Sequence, residues 1–175
     1  MSRSTAGVTL VELLVAVAIA GIVLSFGLPG WGRWTAEQAV RDRADALLHT
    51  LDRARSEAVK RGSRVDVCPE SGGGCPGMPS AWEGGWKIVV PATPGGDVPA
   101  IAVAREPHSP AGLTIRGNRP VADYVSYTSL GYARRTDGSL QMGTFVICHP
   151  GHKARKVIVA NSGRARVEQT AENCP

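Results

Sequence analysis

Two arginines near the end of the chain, Arg164 and Arg166, are spaced so that they can bind anions together. They alternate along a predicted strand, so both side chains point to the same side of a sheet. Lys153, Arg155 and Lys156 lie just across a predicted hairpin turn. Such cations bind phosphates through charge and bidentate hydrogen bonds, without reading base sequence. The cluster therefore predicts non-specific contact with nucleic acid, and since no aromatic residue is interleaved with it, base stacking is not suggested.

The same arginines have a simpler interpretation. Glu168 and Glu172 follow them closely and are available as salt-bridge partners, and a neighbouring protein subunit would be contacted through the same charges. The formal net charge of +5 permits contact with nucleic acid or an anionic surface. A solvated basic face explains that charge equally well.

Four cysteines form a second group of reactive side chains: Cys68, Cys75, Cys148 and Cys174. Cys68 and Cys75 flank a glycine-rich loop that could bring them together, and pairing Cys148 with Cys174 would pin the C-terminus to the sheet. We expect the domain to lie outside the cytoplasm, where disulfides persist. The sequence alone leaves three connectivities open.

Zinc binding is the alternative use of the cysteines. His149 and His152 lie near Cys148, but the chain has no Cys-x-x-Cys spacing. It also lacks a nucleophile motif, a P-loop and a nucleotide-binding glycine fingerprint. The sequence therefore predicts a protein that is not an enzyme and needs no metal or cofactor.

The N-terminal part of the chain has the pattern of a membrane anchor. Residues Val8 to Leu28 are almost wholly apolar, with Glu12 as their one charge. As a helix this run spans about 30 Å, enough to cross a bilayer. The preceding leader, Met1 to Gly7, is polar and carries Arg3, which keeps that end cytoplasmic.

Glu12 distinguishes two interpretations of this anchor. If the run were a secretory signal cut after Ala18-Ile19-Ala20, Glu12 would lie inside its apolar core at a cost of about 2–3 kcal/mol. If the chain is cut after Gly7, Val8 becomes the new N-terminus and Glu12 its fifth residue. The carboxylate then neutralises a free amine, within a subunit or between neighbours.

The elements that position these residues follow from periodicity. Apolar residues recur at spacings of three, four and seven from Thr35 to Arg61, and Gly62 provides a stop. We expect one long helix, with Pro29 and Gly30 as its point of weakness. Its first half would lie in the membrane and its second half would pack on a sheet.

Beyond Gly62 the pattern changes to short runs between Gly/Pro turns, which predicts an α+β domain with antiparallel sheets. Asn161-Ser162-Gly163 reads as a tight hairpin turn before the last strand. The predicted strands are Arg64–Cys68, Trp86–Val90, Ile101–Arg105, Leu113–Arg116, Val125–Thr128, Thr144–Cys148, Lys156–Ala160 and Arg164–Glu168. The predicted parts are a leader (1–7), a transmembrane half-helix (8–29), a packed half-helix (30–62) and a β domain (63–175).

The segment Gly7-Val8-Thr9-Leu10-Val11-Glu12-Leu13 resembles the prepilin peptidase site of type IV pilins and type II secretion pseudopilins. This resemblance implies cleavage after Gly7, methylation of Val8 and a role for Glu12 in filament assembly. Val8 stands where phenylalanine is usual in the family. The implied fold is the type IV pilin fold, and the implied partners are prepilin peptidase, the inner membrane and other pilins.

The soluble part is similar to the FimT/GspH family of minor pilins and pseudopilins. The similarity rests on Cys68 with Cys75, on Gly85-Trp86-Lys87-Ile88, and on the ending Ser162-Gly163-Arg164-Ala165-Arg166-Val167 with Cys174 last. In FimT-like members the Gly-Arg-x-Arg segment resembles a DNA-contacting motif. It implies uptake of double-stranded DNA in natural transformation. The implied location is the bacterial inner membrane, crossed once, and the pilus or pseudopilus, with the soluble domain periplasmic or extracellular. The alternative is a structural minor pilin or GspH-like pseudopilin that contacts only proteins.

Overall fold

The computed structural model describes Gly7 and residues 9–70, 81–92 and 101–174, with the backbone alone for residues 23–31 and 33. The chain divides into two compact units, Met1–Ala36 and Glu37–Pro175. Within the described ranges, no helix combines the length and the apolar character needed to cross a membrane.

Helix α1 runs from Leu10 to Arg61. The Glu12 N–H donates to the Thr9 hydroxyl at 3.3 Å, which makes Thr9 the N-cap. At the other end Gly62 takes a left-handed backbone with φ of 60°, its N–H donates to the Val59 carbonyl, and the Ser63 N–H donates to the Ala58 carbonyl. This pair of hydrogen bonds is a Schellman motif, so the predicted stop at Gly62 is confirmed.

The second half of α1 buries the stripe that its periodicity predicts. The buried stripe residues are Val40, Ala44, Leu47, Leu51, Ala54 and Ala58. They pack in one cluster with Trp82, Trp86 and Phe145, and the Trp86 indole donates to the Thr50 hydroxyl at 3.0 Å. Every member of this core cluster lies between Ala39 and Val167. The unit Glu37–Pro175 therefore has a complete core, and we expect it to fold on its own.

In the part of the chain that the structure describes, eight strands form two antiparallel four-stranded sheets, with a short 3-10 helix at Trp82–Gly84. The strands are β1 (Val65–Pro69), β2 (Trp86–Val90), β3 (Ile101–Glu106), β4 (Thr114–Gly117), β5 (Val125–Tyr127), β6 (Gly143–Cys148), β7 (Lys153–Val159) and β8 (Ala165–Asn173). The first sheet has the order β3-β2-β1-β5 and the second β4-β6-β7-β8. The α+β fold of the sequence prediction is confirmed.

The last two strands are longer than the sequence predicts. β7 begins at Lys153 rather than Lys156, and β8 continues to Asn173 rather than ending at Glu168. None of the nine residues of β8 is buried. Ala165 and Val167 are partly buried against the core, but the residues from Gln169 to Asn173 do not alternate between apolar and polar types, so the sequence carries no signal for the extension.

A disulfide joins Cys148 to Cys174, one of the pairings that the sequence left open. The Cys174 N–H also donates to the His152 carbonyl at 2.8 Å, which fixes the end of β8 beside the start of β7. Cys75 lies outside the described residues. None of the cysteines within those ranges is a free thiol, and no group of three metal-binding side chains occurs there. An oxidised Cys148 cannot supply the thiolate that a zinc site would need.

Candidate functional site

The turn between β7 and β8 presents Arg164 at the edge of the second sheet. The Ala160 N–H donates to the Arg164 carbonyl, and the Gly163 N–H donates to the Ala160 carbonyl, both at 2.9 Å. Gly163 has a φ of 80°, a backbone conformation that residues with a Cβ rarely adopt. The predicted tight turn is confirmed, with glycine at the position that needs it.

Two residues that sequence reasoning did not single out, Arg55 and Gly131, support this turn through the contacts described next. A Cβ at Gly163 would collide with the Gly131 carbonyl oxygen. That same carbonyl accepts a hydrogen bond from the Arg55 side chain at 3.0 Å, and the Ala133 N–H donates to the Asn161 carbonyl. These contacts join α1, the 131–133 segment and the turn. Because the three parts are far apart in the sequence, no local sequence pattern predicts the contacts.

The structure places Arg164, Arg166 and Lys156 on the outer face of the second sheet. Arg166 lies opposite Ile158 in the ladder, and Lys156 lies opposite Glu168. Opposed residues share a face, and alternate residues along a strand share it too. Arg164 and Arg166 are exposed, while Lys156 is half-buried.

The other two predicted cations do not join this group. Arg155 precedes Lys156 directly, so its side chain leaves β7 on the opposite face, the one that carries buried Val157. Lys153 lies at the far end of β7, beyond a register shift, opposite Asn173. At about 3.3 Å per residue, its Cα is roughly 16 Å along the strand from Ile158, the residue opposite Arg166.

Carboxylates also lie on this face and reduce its positive charge. Arg166 pairs with Glu168 at 2.9 Å, and Lys156 lies 3.8 Å from Glu172. The Arg166 side chain is 60% exposed in this pair, and such surface pairs contribute about 0–1 kcal/mol. Arg164 forms no ion pair with any residue that the structure describes. A phosphate could therefore displace Glu168 from Arg166 at small cost.

The N-terminal site lies at the start of α1. Gly7 is exposed, and Val8 lies outside the described residues. Glu12 is exposed among apolar side chains that are themselves exposed: Leu10, Val11, Leu13, Leu14, Val15, Val17, Ile19 and Ile22. Thr9 and Glu12 have the spacing of a capping box, a local signal that sequence reasoning missed.

A long N-terminal helix followed by a two-sheet β domain, with the sequence motif from Gly7 to Leu13 at the start of the helix, defines a type IV pilin-like protein. The sequence model of the family described as "Type II transport protein GspH" matches residues 43–163, and that of the "Prokaryotic N-terminal methylation motif" matches residues 2–28. The chain belongs to the GspH/FimT family of type IV minor pilins and pseudopilins. Members of these families are structural subunits that associate with other pilins, and the methylation motif implies processing by prepilin peptidase.

Two solved structures share the fold, both of the type IV minor pilin FimU of Pseudomonas aeruginosa strain PAO1. One crystal form has a TM-score of 0.59 over 81% of this chain and 96% of FimU. The second has a TM-score of 0.56 over 75% and 98%. Sequence identity is 21% in both, so the likeness is one of fold. No curated protein sequence matches the chain.

Proposed function

We propose that this minor pilin binds double-stranded DNA without sequence specificity, for uptake during natural transformation, and that Arg164 and Arg166 are its principal contacts. The observation that carries the proposal is the exposed arginine pair on one face, with Arg164 free of ion pairs to described residues. Lys156 shares that face and adds a third cation. Lys153 and Arg155 support binding only through their charge at longer range.

A charge-matched comparison tests this assignment. The Arg164→Gln/Arg166→Gln variant of the unit Glu37–Pro175 should bind a DNA duplex at least about tenfold more weakly than the parent, because two phosphate contacts are lost. The control is Arg53→Gln/Lys60→Gln, which removes the same charge from two exposed positions on α1. Equal loss in both variants would mean that net charge, not this site, determines affinity.

We also propose that the chain enters the inner membrane through residues 8–29 before assembly, with Glu12 paired to the new amino group of Val8. The exposed apolar side chains around Glu12 support this proposal, because they must be covered by lipid or by neighbouring subunits. Mass spectrometry of the mature protein should find a methylated N-terminus at Val8. A start at Gly21 would show that the chain is cut as a secretory signal instead.

The second candidate function is a structural tip subunit or a GspH-like pseudopilin of type II secretion. Glu168 and Glu172 favour it, since they pair with Arg166 and Lys156 and weaken the positive field of the face. A pull-down that recovers other minor pilins, from a folded domain that retains no DNA at low salt, would support this function over DNA uptake.

A further inference from the structure

Strand β8 leaves one edge of the second sheet open. It is the last strand in the order β4-β6-β7-β8, and within the ranges that the structure describes nothing pairs with its far side. The strand has nine residues, none buried and none proline. Edge strands in soluble proteins are usually short or interrupted, because a long open edge is a template for another strand.

The backbone groups on this edge can be assigned from the turn. The Ala160 N–H donates to the Arg164 carbonyl, and hydrogen-bonded pairs in an antiparallel ladder recur at every second residue. The backbone groups of Arg166 and Glu168 therefore face β7. Those of Ala165, Val167 and Gln169 face away and are free to bind a further strand.

We propose that this edge pairs with the same edge of a second copy of the chain, antiparallel and centred on Val167. In this register the residues whose backbone groups face away from β7 meet one another: Val167 lies opposite Val167, and Ala165 opposite Gln169. About six backbone hydrogen bonds would form across the two-fold axis. The two four-stranded sheets would become one continuous sheet.

Charge favours a second copy as the occupant. In the ladder centred on Val167, Arg166 lies directly opposite Glu168 of the second copy, and the two-fold symmetry forms this pair twice. A ladder centred on Ala165 would instead place Arg164 opposite Arg166 twice, which is repulsive. One centred on Gln169 would run through the part of β8 where its pairing with β7 shifts register. The sequence of the edge is thus complementary to itself in one register.

Sedimentation velocity of the unit Glu37–Pro175, without DNA, tests the pairing. Over about 10 µM to about 1 mM, the range in which small interfaces associate, we expect a reversible dimer. Arg166→Glu alone and Glu168→Arg alone should each weaken it about three- to tenfold, because each places like charges opposite one another twice. The double swap Arg166→Glu/Glu168→Arg should restore it. A monomer at every concentration, or no restoration by the double swap, would overturn the proposal.

A backbone variant tests the same edge independently of charge. Gln169→Pro removes an N–H that faces away from β7, so it should abolish the dimer and leave the fold intact. Gln169→Ala keeps that N–H and should dimerise like the parent. Circular dichroism checks the fold of both, and if the proline variant unfolds, the charge swap alone decides. A dimer that survives a folded Gln169→Pro would place the contact elsewhere, and an edge that binds only another pilin's strand would give a monomer here.

Discussion

At the scale of the residue, Gly163 determines where Arg164 lies. Its left-handed backbone closes the turn, and its missing Cβ lets the Gly131 carbonyl approach. The Arg-x-Arg spacing shows in the sequence which side chains share a face. The turn also accounts for the glycine in the sequence, but its close contact with the Gly131 carbonyl does not show there, because Gly131 and Arg55 are distant in the chain.

Replacing Gly163 by alanine should destabilise the unit Glu37–Pro175 by about 2–5 kcal/mol, the sum of a left-handed backbone cost and an overpacking cost. The matched control is Gly138→Ala, since Gly138 has φ of 85° but no atom within 4 Å of an added Cβ. That variant should lose about 1–2 kcal/mol in urea unfolding, the backbone cost alone. Equal losses in the two variants would contradict the packing of Gly163 on Gly131.

Asp66 is the one acidic residue that is buried among the described residues. It is fully buried on β1, and neither carboxylate oxygen has a hydrogen-bond partner among the described residues. Burial raises the pKa of Asp66 above its usual value, and neighbouring Ser126 and Arg64 oppose that rise only in part. The folded state therefore holds this proton more tightly than the unfolded chain does.

This proton predicts a pH dependence. The contribution of Asp66 to stability is full below the unfolded pKa near 3.8 and is lost as pH rises through the raised folded pKa. The free energy of unfolding of Asp66→Asn, relative to the parent, should thus rise between pH 4 and pH 7. Exposed Asp137 is the control, because hydrogen bonds from Ser139 lower its pKa, so its contribution is lost as pH falls. A difference between Asp66→Asn and parent that does not change with pH would contradict a protonated Asp66.

At the scale of the element, the sequence predicts most of the architecture. The stripe on α1, the stop at Gly62 and the existence of all eight strands follow from periodicity and turn residues. The extension of β8 to Asn173 does not, since the residues from Gln169 to Asn173 do not alternate between apolar and polar types. Arg155 and Lys156 were predicted in one cluster, but they are adjacent in the sequence and leave β7 on opposite faces.

The Cys148–Cys174 disulfide should hold the extended end of β8. It closes a loop of 26 residues, and Cys148→Ser/Cys174→Ser should cost about 3–4 kcal/mol of stability. Hydrogen exchange should show the largest loss of protection from Thr170 to Asn173, with the turn at Gly163 still protected. Unchanged protection at the end of β8 would mean that the ladder with β7 suffices there.

At the scale of the whole molecule, family membership and fold leave the ligand open. The two FimU structures share the fold at 21% identity, and the family includes both pilins and pseudopilins. What separates DNA uptake from a purely structural role is therefore local, the outer face around Arg164 and Arg166. The compact unit Glu37–Pro175 carries that face and a complete core, so DNA binding by the face can be measured on this unit in solution.

The most direct measurement is the salt dependence of duplex DNA binding by this unit, beside its Arg164→Gln/Arg166→Gln variant. Contacts to phosphates release counterions, so log affinity should fall linearly with log salt concentration for the parent. The slope of the variant should be shallower by about 1.8, or about 0.9 for each lost phosphate contact. Identical slopes, or no binding at low salt by the folded and oxidised domain, would contradict DNA contact at this site.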